Sequence, residues 1–227
     1  MSDDDAAARP DPLSRRALLG RVGAAGAFVA LTDVLPPGGT AEAQARRPPL
    51  REAFETLTPV EAATLEAMVA RLIPGDTASP GAAEAGAAHY IDRALGGALA
   101  ASRNVYRIGL AAVDTYARGS KAAAFAQLAP ADQDAILTDL ERNAASGFDG
   151  GSAGFFNLVL AHTVQGTFCD PFYGGNRNFA GWDLIGYPGV RLAVTAEQQN
   201  LDAKTAPTHM SAYDYAMFSR RKPGRGD

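Results

Sequence analysis

The sequence predicts an all-α fold: an irregular helical bundle that carries one long, ordered, glycine- and aromatic-rich loop after its fifth helix. Three observations predict it. Apolar residues recur at helical spacing through most of residues 58–167, which is the pattern of helices with one buried face. No stretch sustains the two-residue alternation of a strand, and there are no internal repeats. From Gly166 to Gly189 the sequence reads GTFCDPFYGGNRNFAGWDLIGYPG, and neither period holds there. That segment nevertheless gathers six glycines, six aromatics, the only cysteine and the only tryptophan.

Each helix has local signals. Thr58-Pro59-Val60-Glu61 starts the first: Thr58 caps, Pro59 suits the first helical position, and Glu61 completes a capping box. Leu65, Met68, Val69 and Leu72 give its apolar face, and Pro74-Gly75-Asp76 ends it. A second helix is expected over about 83–99, with Tyr90, Ile91, Ala94, Leu95, Ala98 and Leu99 as its stripe and Gly96-Gly97 as an early stop. A third spans about 104–118 through Tyr106, Leu110, Val113 and Ala117. Phe125 and Leu128 mark a short connector. Pro130 opens a fourth helix that buries Ile136, Leu137 and Leu140, and Gly147 to Gly151 breaks it. The fifth runs over about 154–167, with Phe155, Leu158, Val159 and His162 on its apolar face. Beyond the loop, order is weak, apart from a short turn capped at Thr195-Ala196-Glu197-Gln198.

The ends read differently from the body. Ser14-Arg15-Arg16-Ala17-Leu18-Leu19 resembles a twin-arginine export signal centred on Arg15 and Arg16. A mildly apolar stretch from Val22 to Leu35 follows, then the A-x-A sites Ala41-Glu42-Ala43 and Ala43-Gln44-Ala45. The apolar stretch is too short to span a hydrocarbon core of roughly 30 Å. The expected organisation is a signal peptide at 1–45, a flexible lead-in at 46–54, a single helical domain at 55–218 and a disordered basic tail at 219–227. The expected location is periplasmic, by twin-arginine export, peripheral to the membrane.

Composition narrows the function. The chain has 227 residues, 47% of them apolar, and a formal charge of −4. Residues 1–45 hold 4 of the 21 basic and 6 of the 25 acidic side chains, so the remainder carries 17 against 19. A mildly acidic chain is a poor binder of nucleic acid, which needs a basic face.

Chemistry is hard to find in the residues. His89, His162 and His209 are scattered, and no set of three or four converging ligands suggests a zinc site. Cys169 is a buried small residue, a free thiol or one half of an inter-chain disulfide. There is no G-x-S-x-G nucleophile motif. Asp170 and Asp183 read as a carboxylate pair or cation site, or, for Asp170 before Pro171, as a turn cap, which is preferred. Gly174-Gly175-Asn176-Arg177 reads as an anion-binding nest or, preferably, as a tight turn in which Arg177 fixes neighbouring carbonyls. No catalytic, cofactor or metal residues are assigned. The glycine- and aromatic-rich loop has two compatible readings. It wraps its own bundle as a lid, or it presents a partner interface through Phe168, Cys169, Phe172, Tyr173, Asn176, Arg177, Trp182 and Tyr187.

The runs Gly166–Arg177 and Gly181–Gly189, with Leu57-Thr58-Pro59, Leu72-Ile73-Pro74 and His89-Tyr90-Ile91-Asp92, are similar to the signature of the gluconate 2-dehydrogenase small-subunit family (subunit 3, or gamma). The resemblance implies a non-catalytic accessory subunit. Its partner would be a large flavoprotein of the glucose-methanol-choline type that holds FAD and oxidises a sugar, sugar acid or polyol. A multihaem cytochrome c, holding haem c, would be a possible third subunit. The small subunit would support maturation, stability and co-export of the flavoprotein. The competing readings are a stand-alone exported binding or scaffold protein and an exported enzyme without a partner.

Overall fold

The computed structural model describes residues 52–219, which fall within one compact unit. The expected signal peptide, with Arg15 and Arg16, lies outside the described residues, as do residues 46–51 of the lead-in and 220–227 of the tail.

Six α-helices and no strand occur among the described residues: α1 (Pro59–Leu72), α2 (Ala87–Leu95), α3 (Arg103–Lys121), α4 (Pro130–Glu141), α5 (Ser152–Phe168) and a short α6 (Ala180–Leu184). The capping box at Thr58 forms as the sequence implies. The Thr58 N–H donates to Glu61 Oε2 at 2.8 Å, and the Glu61 N–H donates back to Thr58 Oγ1. Leu65, Met68 and Val69 are buried, and Leu72 is packed half-buried at the core's edge.

The second helix is shorter than expected, Ala87–Leu95 instead of about 83–99. Its entry is set by Gly86, which is left-handed at φ 73°. A Cβ there would lie 2.5 Å from Nε of Arg177, so a residue far along the chain fixes this start. Gly96 and Gly97 end the helix, and a 3-10 turn at Ala100–Ser102 leads into α3. Helix α3 continues to Lys121 and buries Tyr106, Leu110, Val113 and Ala117. Phe125 is fully buried in its own 3-10 turn, where its N–H donates to Asp114 at 3.0 Å and its carbonyl accepts from Gln133 at 3.0 Å. Helix α4 buries Ile136, Leu137 and Leu140.

Helix α5 contacts all four preceding helices. It therefore buries more than one face: Phe155, Phe156, Val159, His162, Thr163, Gly166 and Thr167 are all inside. Its one imidazole is satisfied within the core, where His162 Nδ1 meets the Tyr106 hydroxyl at 2.9 Å with the two rings stacked.

The chain entering α1, with the described part of the lead-in at Glu52–Phe54, makes specific contacts with α2. Buried Asp92 accepts backbone N–H bonds from Glu55 (2.6 Å), Thr56 (2.9 Å) and Leu57 (2.8 Å). His89 stacks on Phe54 at 4.3 Å and bonds the Glu52 carbonyl through Nε2 at 3.0 Å. The Glu52 carboxylate is gripped by Arg93 and by Arg177.

Candidate functional site

The segment after α5 begins with Asp170, whose side chain accepts the Phe172 N–H at 3.0 Å and caps a 3-10 turn at Pro171–Tyr173. A second turn at Arg177–Phe179 runs into α6. The segment is thus a chain of short helical pieces, too brief to leave a period in the sequence; Asp170 caps the first, and Asn176 takes two N–H groups at the start of α6.

Its inner side is bolted to α5. Asn176 is 0% exposed. It takes the Gly181 N–H at 2.8 Å and the Trp182 N–H at 3.3 Å on Oδ1, and gives Nδ2–H to the Cys169 carbonyl at 2.9 Å. Trp182 is 4% exposed and donates Nε1–H to the Phe168 carbonyl at 3.0 Å. Two glycines permit the approach. A Cβ on Gly175 would lie 2.1 Å from the Gly166 carbonyl oxygen, and one on Gly181 would lie 1.8 Å from that of Thr167. Asn176 and Trp182, expected among the interface residues, are therefore internal fasteners. Their side chains have no surface to offer a partner.

Arg177 and Cys169 occupy the seam. The Arg177 N–H donates to the Ala85 carbonyl at 3.0 Å, while its guanidinium pairs with Glu52 rather than with neighbouring carbonyls. Cys169 is half-buried, and burial pushes its thiol above the usual range. Phe168 is half-buried as well.

The outer side is different. Phe172 is 61% and Tyr173 53% exposed, and Tyr187, Leu184 and Ile185 also face out. Among the described residues, ten of the fourteen large apolar side chains left exposed lie after Pro171. The loop is both a lid and a surface: one side closes the bundle and the other carries exposed aromatic and aliphatic side chains.

The residues after Gly189, for which the sequence offered little, return across this segment as a strap. The Val190 N–H donates to Met210 and the Thr208 N–H to Pro188, at 2.8 and 2.7 Å. Asp170 receives the Ser211 hydroxyl at 2.6 Å and the Ala212 N–H at 2.8 Å. His209 lies 2.7 Å from Asp183 and stacks on Phe179. Tyr213 stacks on Phe172 at 3.7 Å and shares a 2.7 Å hydroxyl contact with Tyr173. Asp170, Asp183, His209 and Tyr213 thus organise the face. Only the turn-capping role of Asp170 was readable in advance, from the proline that follows it. Among the described residues, no group of three or more His, Cys, Asp or Glu is placed to hold a metal ion. No helix there is long and apolar enough to cross a membrane.

Comparison with known proteins adds one finding. A family model described as gluconate 2-dehydrogenase subunit 3 matches residues 59–189, more than half of the chain. The matched stretch covers α1 to α6 and both sides of the glycine- and aromatic-rich segment, and it stops where the strap begins. No match was found among curated proteins or among solved structures. The helical bundle, its bolted signature segment and this match together place the chain in the gluconate 2-dehydrogenase subunit 3 family.

Proposed function

We propose that the chain is a non-catalytic accessory subunit of an oxidoreductase complex, and that it works by docking. Its partner in this reading is a large FAD-containing dehydrogenase of the glucose-methanol-choline type, acting on a sugar or sugar acid. A multihaem cytochrome c is the third member. The twin-arginine pattern at Arg15-Arg16 fits co-export of the flavoprotein to the periplasm with this chain, which would support its maturation and stability.

The observation that carries the docking reading is the exposed apolar surface of the signature segment. Phe172 and Tyr173 are large, rigid and more than half exposed, on a backbone held by Asn176 and Trp182. Surface aromatics on a fixed frame lose little entropy on association, and they are common interface anchors. Monomeric proteins rarely leave such residues clustered without a use.

The test is capture of the tagged full-length chain from its own host, followed by an absorption spectrum. The reading expects a large subunit with flavin bands. A colourless chain recovered alone would refute it and favour a stand-alone binding protein.

A further inference from the structure

A cavity of about 610 Å³ lies between the signature segment and the strap. Pro171, Phe172 and Phe179 line one side, and Ser211, Tyr213, Asp214 and Ser219 of the strap line a second wall, which meets the first where Tyr213 stacks on Phe172. The family match ends at Gly189, so the second wall is built by residues beyond it. Three of these seven residues are aromatic, and among the described residues no lysine or arginine lines the cavity. Asp214 takes the Ser211 N–H on Oδ2 at 2.8 Å, which leaves its other oxygen for a ligand.

Aromatic faces carry negative potential and attract cations. A carboxylate in the same wall adds a full negative charge. A flat guanidinium can stack on a ring while it pairs with a carboxylate, which a compact ammonium does less well. A neutral apolar group would instead strip water from Asp214 and leave it unpaired, at a cost. We propose that this cavity receives an arginine side chain of the partner protein, as the anchor of the docking described above. The inference rests on that docking reading and names the chemistry of its central contact. The strap then contributes the acidic half of the recognition surface, and Phe172 and Tyr213 contribute the stacking half.

Two measurements test it. The first titrates the purified full-length chain with N-acetyl-arginine amide and, separately, with the uncharged N-acetyl-norleucine amide. Trp182, the only tryptophan, reports through its contact with Phe179 at 5.4 Å. The arginine probe should bind about fivefold more tightly than the neutral one. Asp214→Asn should abolish the difference and Asp214→Glu should restore it. Because Asp214 also caps a turn, circular dichroism of both variants checks that the fold is kept. Equal binding of the two probes, or an unchanged preference in Asp214→Asn, would overturn the proposal. So would a preference that appears only when the chain is cut after Ser219, because the basic C-terminal residues would then be the occupant. The second measurement captures the flavoprotein with wild type and with Asp214→Asn. Wild type that captures nothing sinks the docking reading itself. Equal capture by both proteins sinks only the arginine anchor.

Discussion

At the scale of single residues, a few buried polar groups hold the parts that function needs. Asp92 is the clearest. Its carboxylate serves three backbone N–H groups of the segment that leads into α1. Asp92→Ala leaves those donors without partners, each at about 1–3 kcal/mol when buried. Two of the three bonds are only partly buried, so the expected loss is about 2–4 kcal/mol, seen as a lower urea midpoint with an unchanged slope. Asn176 plays the matching role inside the signature segment. The sequence singles out both Asn176 and Trp182, and the structure buries both against α5. With no period in the segment, nothing local distinguishes a side chain that faces α5 from one that faces solvent. Phe172 and Tyr173, in the same segment, are more than half exposed.

Elements show where sequence reading succeeds and where it stops. The start of α1 was legible because a capping box is a contact between residues three apart. The faces of α3 and α4 were legible because each is periodic, whereas α5 buries more than one face and only part of what it buries was legible. The start of α2 was not, because Gly86 is left-handed beneath a side chain from residue 177. The strap was not, because its pins are single polar side chains paired across 26 to 42 residues. Two predictions belong here. Gly181→Ala drives a Cβ into the Thr167 carbonyl of α5, where helix backbone cannot yield. It should cost about 1–3 kcal/mol and shift Trp182 emission to the red as the segment lifts away. The second concerns the α3–α5 contact. Burial holds His162 below its ordinary pKa, so it stays neutral against Tyr106 in the folded chain. As pH falls through about 6.5 the unfolded chain takes up a proton that the folded chain resists, and stability declines. Thermal midpoints should therefore drop from pH 7.5 to pH 5, and His162→Gln should flatten that drop.

On the scale of the whole molecule, the helices form a frame and the last third forms a face. Helix α5 is central to this division, because it contacts the five other helices of the described residues and receives the signature segment at its C-terminal end. The family match covers the frame and the signature, while the strap that completes the exposed face lies beyond it. Partner choice is therefore expected to vary with the strap more than with the bundle. On the proposed function, deleting residues 1–45 should leave both this chain and the proposed flavoprotein in the cytoplasm. Fractionation followed by dehydrogenase assay checks that, and normal periplasmic activity in the deletion strain would rule out co-export through this chain.

The central claim is that the exposed aromatics of the signature segment bind a flavoprotein while its buried residues only hold the fold. Its most direct test is the flavin absorbance that co-purifies, per mole of tagged chain, with wild type and with the double variant Phe172→Ala/Tyr173→Ala. The account predicts a yellow complex for wild type and at least a tenfold loss for the variant, with matching circular dichroism. Equal flavin in both, or none with either, would contradict it.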